Sequence, residues 1–97
     1  MKRYRLSPAA QRDMADIWLY SAQRRGKDRA DGYVRALNDV FASAAEDPLI
    51  GPSCEDIRPG YRKRVSGSHV IFYKQAGATV VIIRVLHQNM DFGRNLL

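Results

Sequence analysis

The spacing of apolar side chains along this chain changes twice, and each change marks a different secondary structure. Tyr4 and Leu6 alternate with Arg3 and Arg5, a period of two that predicts a short first strand over about residues 2–6. Steps of three and four residues follow and predict helices, after which the period of two returns in the second half of the chain. The pattern therefore predicts one strand, then helices, then further strands.

Two amphipathic helices are predicted before residue 48. Ser7 and Pro8 suit the N-cap and the first position of the first helix, because the serine hydroxyl accepts a backbone N–H and proline has none to leave unpaired. Gly26 interrupts the pattern, and Pro48 ends a second helix over about residues 27–46. The stripes at helical spacing are Ala10, Met14, Ile17, Trp18 and Ser21 in the first helix, and Ala30, Tyr33, Val34, Leu37, Val40, Phe41 and Ala44 in the second. The short break predicts an antiparallel helical hairpin.

Three strands are predicted after a loop rich in proline and glycine at residues 48–56. They cover Tyr61–Ser66, His69–Gln75 and Thr79–His87. The connections between them are short enough for antiparallel hairpins. The last strand is apolar on both faces, which indicates a central strand covered by the helices on one side. Residues 91–97 have room for one helical turn. The order β-α-α-β-β-β predicts an α+β fold in which the helical hairpin packs across a small, twisted, mostly antiparallel sheet.

Length and composition indicate one globular domain over residues 1–97. The chain has 97 residues, of which 45% are hydrophobic, and no apolar run reaches the roughly 18 residues of a membrane span. The basic N-terminus is followed by no apolar stretch, so it does not resemble a signal peptide and a cytoplasmic location is expected. The single cysteine, Cys54, has no partner for a disulfide or a metal pair, and we expect a surface or half-buried thiol. No cofactor or metal is predicted.

The formal net charge of +6 indicates an acidic partner, which is nucleic acid, an acidic protein, or both. Solubility alone is the simpler explanation, since many small domains are basic. Direct nucleic-acid binding is compatible with this charge but not required by it.

The closing segment, together with the order of elements, resembles toxins of the ParE/RelE superfamily of type II toxin–antitoxin systems. The resemblance lies in the Ser7-Pro8-Ala9 helix start and in the Arg84-Val85-Leu86-His87 end of the last strand, and it covers almost the whole chain. It implies a toxin whose antitoxin wraps around it with an acidic C-terminal tail. RelE-like members of this superfamily are ribosome-dependent mRNA endonucleases, whereas ParE-like members inhibit DNA gyrase.

The residues favour the ParE-like branch. Where the resemblance to RelE-like nucleases would place an arginine after Gly67-Ser68, this chain has His69, and a second common arginine is replaced by Asn89-Met90. The C-terminal tail also lacks a tyrosine. We therefore expect a protein that binds and inhibits gyrase without catalysis and that a ParD-like antitoxin neutralises.

An mRNA endonuclease is the alternative. RNA cleavage needs proton transfer and stabilisation of a phosphorane-like centre. His69 and His87 are the candidate acid–base pair, with Arg64, Arg84 or Lys63 to neutralise the phosphate. The more common role for each histidine is to start or end a strand, where it hydrogen-bonds backbone or water. A non-toxic nucleic-acid-binding module is a third interpretation.

Two surfaces are predicted for partners. The candidate target-binding residues are Arg58, Arg62, Lys63, Arg64, Arg84, His87 and Met90. The cationic residues among them would otherwise be solvated side chains that protect a sheet edge, and a buried Arg84 would need a paired carboxylate. The candidate antitoxin-binding residues are Trp18, Tyr33, Leu37 and Phe41, although a stripe of this kind is most often part of the core.

Overall fold

The computed structural model describes residues 3–96 and has the predicted order of elements. These are β1 (Arg3–Leu6), α1 (Pro8–Arg25), α2 (Lys27–Glu46), β2 (Arg62–Ser66), β3 (His69–Ala76), β4 (Thr79–His87) and α3 (Phe92–Asn95). The α+β class and the helical hairpin are confirmed, and the single turn predicted near the C-terminus is α3. Lys2, where the first predicted strand starts, lies outside the described residues.

The four strands form one sheet in the order β1-β4-β3-β2. β4 is a central strand, as its apolar character on both faces predicted. β1 runs parallel to β4, while the β2–β3 and β3–β4 pairs are antiparallel. The sheet is therefore mostly antiparallel, and its parallel pair joins the two ends of the chain.

Ser7 fixes the junction between β1 and α1. Its Oγ accepts the Ala10 N–H at 3.0 Å and donates to the Ile83 carbonyl at 2.7 Å. The predicted N-cap thus satisfies a helix N–H and also ties the start of α1 to the central strand. Gly26 separates the helices with a φ of +91°, a conformation that residues with a side chain rarely adopt.

Apolar side chains fill both faces of the sheet. The helical hairpin covers one face, where Leu37, Phe41, Ile71, Tyr73 and Ile82 are fully buried. On the other face a second cluster joins the loop before β2 to the C-terminal segment and comprises Cys54, Val70, Phe72, Leu86 and Leu96. Cys54 is only 2% exposed, so the expected surface or half-buried position was wrong. Desolvation raises the pKa of its thiol, which makes it a packing residue rather than a nucleophile.

A β-bulge in β4 changes which side chains face the helices. Phe72 pairs with Arg84 while Tyr73 pairs with Ile82, so Ile83 is an extra residue in the strand. Because strand side chains alternate between faces, Ile82 and Val85 would point to opposite faces without it. Both pack in the helix-side core instead.

Candidate functional site

A cavity of about 450 Å³ lies between the helical hairpin and the ends of β3 and β4. We call it the histidine cavity. Its strand side consists of Ser68, His69 and His87. Its helix side consists of Ile17, Tyr20, Ser21, Arg25, Arg29 and Tyr33. None of the described lining residues is acidic.

The two histidines face each other across paired strands. His69 is the register partner of His87, and their ring centroids lie 5.5 Å apart at an interplanar angle of 87°. The bulge at Ile83 makes this meeting possible, since His87 lies two residues beyond Val85 and therefore shares its face.

Tyr33 holds His69 in position. The Tyr33 hydroxyl lies 2.6 Å from His69 Nδ1 and accepts the Ser68 N–H at 3.0 Å. On the neighbouring strand, His87 Nδ1 accepts the Asn89 N–H at 3.2 Å, so its Nε2 carries the proton of the neutral ring. Burial, followed by the proximity of His87, lowers the pKa of His69, while Asp13 opposes the shift. The cavity therefore places an imidazole of lowered pKa beside two arginines.

Only part of the candidate nuclease set is brought together. His69 and His87 meet in the histidine cavity, but Arg64 and Arg84 do not line it. Arg64 donates to Ser43 Oγ at 3.3 Å. The cavity's positive charge comes instead from Arg25 and Arg29, which the sequence analysis missed.

Arg84 is engaged in structural contacts. Its Nε and Nη2 donate to the Asp13 carboxylate at 2.7 and 2.9 Å, and its Nη1 donates to the Asn95 carbonyl at 2.9 Å. The hydrogen bond with Asp13 raises the pKa of Arg84 above its ordinary value. Arg84 is therefore not available for a target or a phosphate, and the prediction that placed it in either site is corrected.

The remaining candidate target-binding residues do not form one continuous surface. Arg62 donates to the Gly51 carbonyl at 2.8 Å and so holds the loop before β2. Lys63 faces the opposite side of the sheet, since its partner Phe72 belongs to the second cluster. Arg58 is exposed and lies over the Tyr61 ring, and Met90 is exposed just after β4. Arg58, Lys63 and Met90 remain candidates for a target surface.

The candidate antitoxin surface contains two residues that belong to the core. Leu37 and Phe41 are 0% exposed and pack inside the chain, so they present no surface to an antitoxin and their assignment is corrected. Trp18 is half-buried and its indole N–H donates to Asp31 at 2.8 Å, which ties α1 to α2. Other large apolar side chains of α1 are exposed instead, namely Leu19 at 51% and Tyr20 at 59%. These were missed because they lie outside the predicted stripe.

Two features of the described residues bear on other classes of site. Residues 3–96 contain no group of three or more histidine, cysteine, aspartate or glutamate side chains arranged to hold a metal ion. Neither α1 nor α2 is apolar over a length that would cross a membrane, and the same holds for α3.

The same fold occurs in solved toxin–antitoxin complexes. The chain aligns with a chain of the chromosomal ParDE system of P. aeruginosa at a TM-score of 0.76 and 16% identity, covering 90% of this chain and 96% of that one. It aligns with the RelBE2 toxin–antitoxin complex of Mycobacterium tuberculosis at a TM-score of 0.65 and 21% identity, covering 89% and 96%. The fold is therefore that of the ParE and RelE toxins.

Sequence relationships identify the branch. The family described as the ParE toxin of type II toxin–antitoxin system, parDE, matches residues 4–92. The chain is 50% identical over 95 residues to Toxin ParE1 of Mycobacterium tuberculosis, covering 97% of each chain. It is also 50% identical over 91 residues to Toxin ParE1 of Caulobacter vibrioides, covering 94% of each. The chain belongs to the ParE toxin family of type II toxin–antitoxin systems.

Proposed function

We propose that this toxin inhibits DNA gyrase by binding it and that a ParD-like antitoxin neutralises it. The observation that carries the proposal is the 50% identity to Toxin ParE1 over 97% of the chain. The engagement of Arg84 with Asp13 adds support, because it takes one arginine away from a nuclease site. Gyrase acts on the chromosome, so the proposal implies action in the cytoplasm.

Purified components test the target. The chain is incubated with gyrase, ATP and relaxed plasmid, and both supercoiling and trapped double-strand breaks are measured. We expect supercoiling to be lost and broken plasmid to accumulate. Arg58→Glu should weaken the inhibition, because Arg58 is an exposed cation of the candidate target surface, whereas Arg12→Glu on α1 should not. Undiminished supercoiling at excess toxin would exclude gyrase as the target.

An exposed apolar patch on α1 supports the proposed antitoxin interaction. Leu19 and Tyr20 are exposed apolar side chains on a chain of net charge +6. An acidic amphipathic segment would match both the apolar surface and the positive charge. Affinity for a ParD-like antitoxin should fall in Tyr20→Ser. It should hold in Val65→Ser, which removes an equally exposed apolar residue from β2. Equal affinities for the two variants would place the antitoxin elsewhere.

One observation favours a second candidate, RNA cleavage. His69 and His87 meet in a cavity that Arg25 and Arg29 also line. The imidazoles could transfer protons while the arginines bind a phosphate. A ribosome-dependent mRNA cleavage assay separates the two functions. If mRNA is cut by the wild type but not by His87→Gln, the chain is an endonuclease. If mRNA stays intact while gyrase is inhibited, the binding function holds.

A further inference from the structure

The histidine cavity gathers positive charge without a compensating carboxylate. Arg25 and Arg29 come from opposite sides of the helical break, and His69 and His87 face them from the strands. None of these four side chains donates to an acid in the described part of the chain. An anion entering the cavity would therefore meet two guanidinium groups whose charge is not already neutralised, beside two imidazoles.

The cavity is larger than a single anionic group requires. Its volume of about 450 Å³ lies in the range of small-molecule sites. Ile17, Tyr20 and Tyr33 give it an apolar and aromatic wall beside the charged residues. A ligand that fills it would carry a planar or apolar part as well as its charge.

These features fit a phosphate better than a carboxylate. Two guanidinium groups, two imidazoles and the hydroxyls of Ser21 and Ser68 exceed what the two oxygens of one carboxylate can accept. A terminal phosphate offers three oxygens and a second ionisation near pH 6, which lies in the range where imidazoles titrate. We propose that the histidine cavity binds the terminal phosphate of a nucleotide and takes up a proton as it does so. The proposal does not depend on gyrase being the target.

His69 is built to accept that proton. In the neutral ring that carries its proton on Nε2, the Tyr33 hydroxyl donates to Nδ1, and in the charged ring Nδ1–H donates to the Tyr33 oxygen across the same 2.6 Å. The hydrogen bond therefore survives protonation. Burial and His87 lower the pKa of His69, and an anion beside the ring would raise it.

The groups that face His69 determine whether affinity for an anion rises or falls with pH. They are Asp13 and Arg25 on α1, Arg29 and Tyr33 on α2, and His87 on β4. Asp13 already accepts three hydrogen bonds from Arg84 and Val85, so the facing groups that remain are cationic, polar or neutral. Affinity should therefore rise as pH falls through the pKa that His69 has in the complex. The rise is up to about tenfold per pH unit for one proton.

Calorimetric titration of the full chain tests the site with three probes at pH 7.5 and pH 6.0. Adenosine monophosphate supplies phosphate with an organic part, adenosine lacks the phosphate, and sulfate keeps a constant charge over this range. We expect adenosine monophosphate and sulfate to bind and adenosine not to bind. Sulfate should bind more tightly at pH 6.0. The measured enthalpy of sulfate binding should change with the ionisation enthalpy of the buffer, because the buffer supplies the proton that the protein takes up. A 5′-phosphorylated oligonucleotide that binds more tightly than adenosine monophosphate would identify a strand end as the natural source.

Matched variants separate the cavity from general attraction to a basic protein. Arg25→Gln with Arg29→Gln should weaken sulfate binding by about tenfold or more. Arg12→Gln with Arg35→Gln removes the same charge from exposed positions of the same helices and should change binding by less than about twofold. His69→Gln should abolish the pH dependence. If that variant does not fold, Tyr33→Phe should reduce the pH dependence, since it removes the partner of Nδ1.

Three results would overturn the proposal. The first is equal weakening of sulfate binding in the two arginine double variants, which would show general attraction. The second is affinity for sulfate that does not change between pH 7.5 and pH 6.0. The third is failure of adenosine monophosphate where a short glutamate peptide binds with the same dependence on Arg25 and Arg29. That result would assign the cavity to an acidic protein segment.

Discussion

Asp13 and Arg84 lie 71 residues apart in the chain, and their side chains form a bidentate ion pair at 2.7 and 2.9 Å. Asp13 also accepts the Val85 N–H at 2.9 Å, at a point where β1 has ended and no longer covers β4. One carboxylate thus neutralises a partly buried arginine and also satisfies the backbone of an uncovered strand. The pair joins α1, β4 and, through the Asn95 carbonyl, the C-terminal segment.

Asp13→Asn should destabilise the fold. The side chains of Arg84 and Asp13 are only 23% and 13% exposed, so removing one charge leaves the other partly buried without its partner. We expect a loss of about 2–4 kcal/mol in the free energy of unfolding. Urea denaturation measures it, with Asp16→Asn, an exposed carboxylate of the same helix, as the control. Equal stability of the two variants would show that the pair contributes little.

The pH dependence of the free energy of unfolding should reflect the protonation of His69. Its pKa is lowered from 6.5 in the folded chain, so the unfolded chain binds the proton more readily. The stabilisation is complete above pH 6.5 and is lost as pH falls through the folded pKa. The free energy of unfolding should therefore decrease on acidification in this window, and the decrease should be smaller in His69→Gln. An unchanged pH profile in that variant would contradict the assignment.

Gly67→Ala should disturb the histidine cavity from outside it. Gly67 has a φ of +57°, and an added Cβ would overlap the Tyr33 ring. Gly77→Ala is the matched control, because its φ is +64° and it has open space around it. Both variants should lose about 1–2 kcal/mol of stability from the left-handed backbone. Gly67→Ala should lose about 1–3 kcal/mol more, as overpacking does. Equal losses, measured by urea denaturation, would mean that Tyr33 moves aside freely.

Leu37→Ala separates core from surface on the helical hairpin. Leu37 is fully buried, so truncation should lower the free energy of unfolding by about 2–5 kcal/mol. Tyr20→Ala removes a larger but exposed side chain and should change stability by less than about 0.5 kcal/mol. Thermal or urea denaturation compares them. A Leu37→Ala variant that kept full stability and lost only antitoxin affinity would restore the original assignment.

The elements of this fold could be predicted because their signals are local. The Ser7 cap, the break at Gly26, the alternation in β2 and the apolar runs of β3 and β4 each depend on residues close together in the sequence. The bulge at Ile83 could not be seen, because an apolar run reads the same with or without an extra residue.

The candidate site was predicted only in part, because its members come from distant segments. His69 and His87 were singled out as strand ends, but their meeting depends on strand register and on the bulge. Arg25 and Arg29 could have been found from the four-residue spacing that joins them to Ser21 and Tyr33, since such residues share a helix face. Asp13 could not have been identified as the partner of Arg84, because several carboxylates were equally available in the sequence.

The stoichiometry of gyrase inhibition tests the central claim most directly, namely that this toxin acts by binding rather than by catalysis. The measurement titrates the purified chain against a fixed amount of gyrase at concentrations well above the dissociation constant and follows supercoiling. The account predicts that inhibition saturates when toxin and gyrase are present in comparable molar amounts. Complete loss of activity at a small fraction of that amount, or cleavage of ribosome-bound mRNA with repeated turnover, would contradict it.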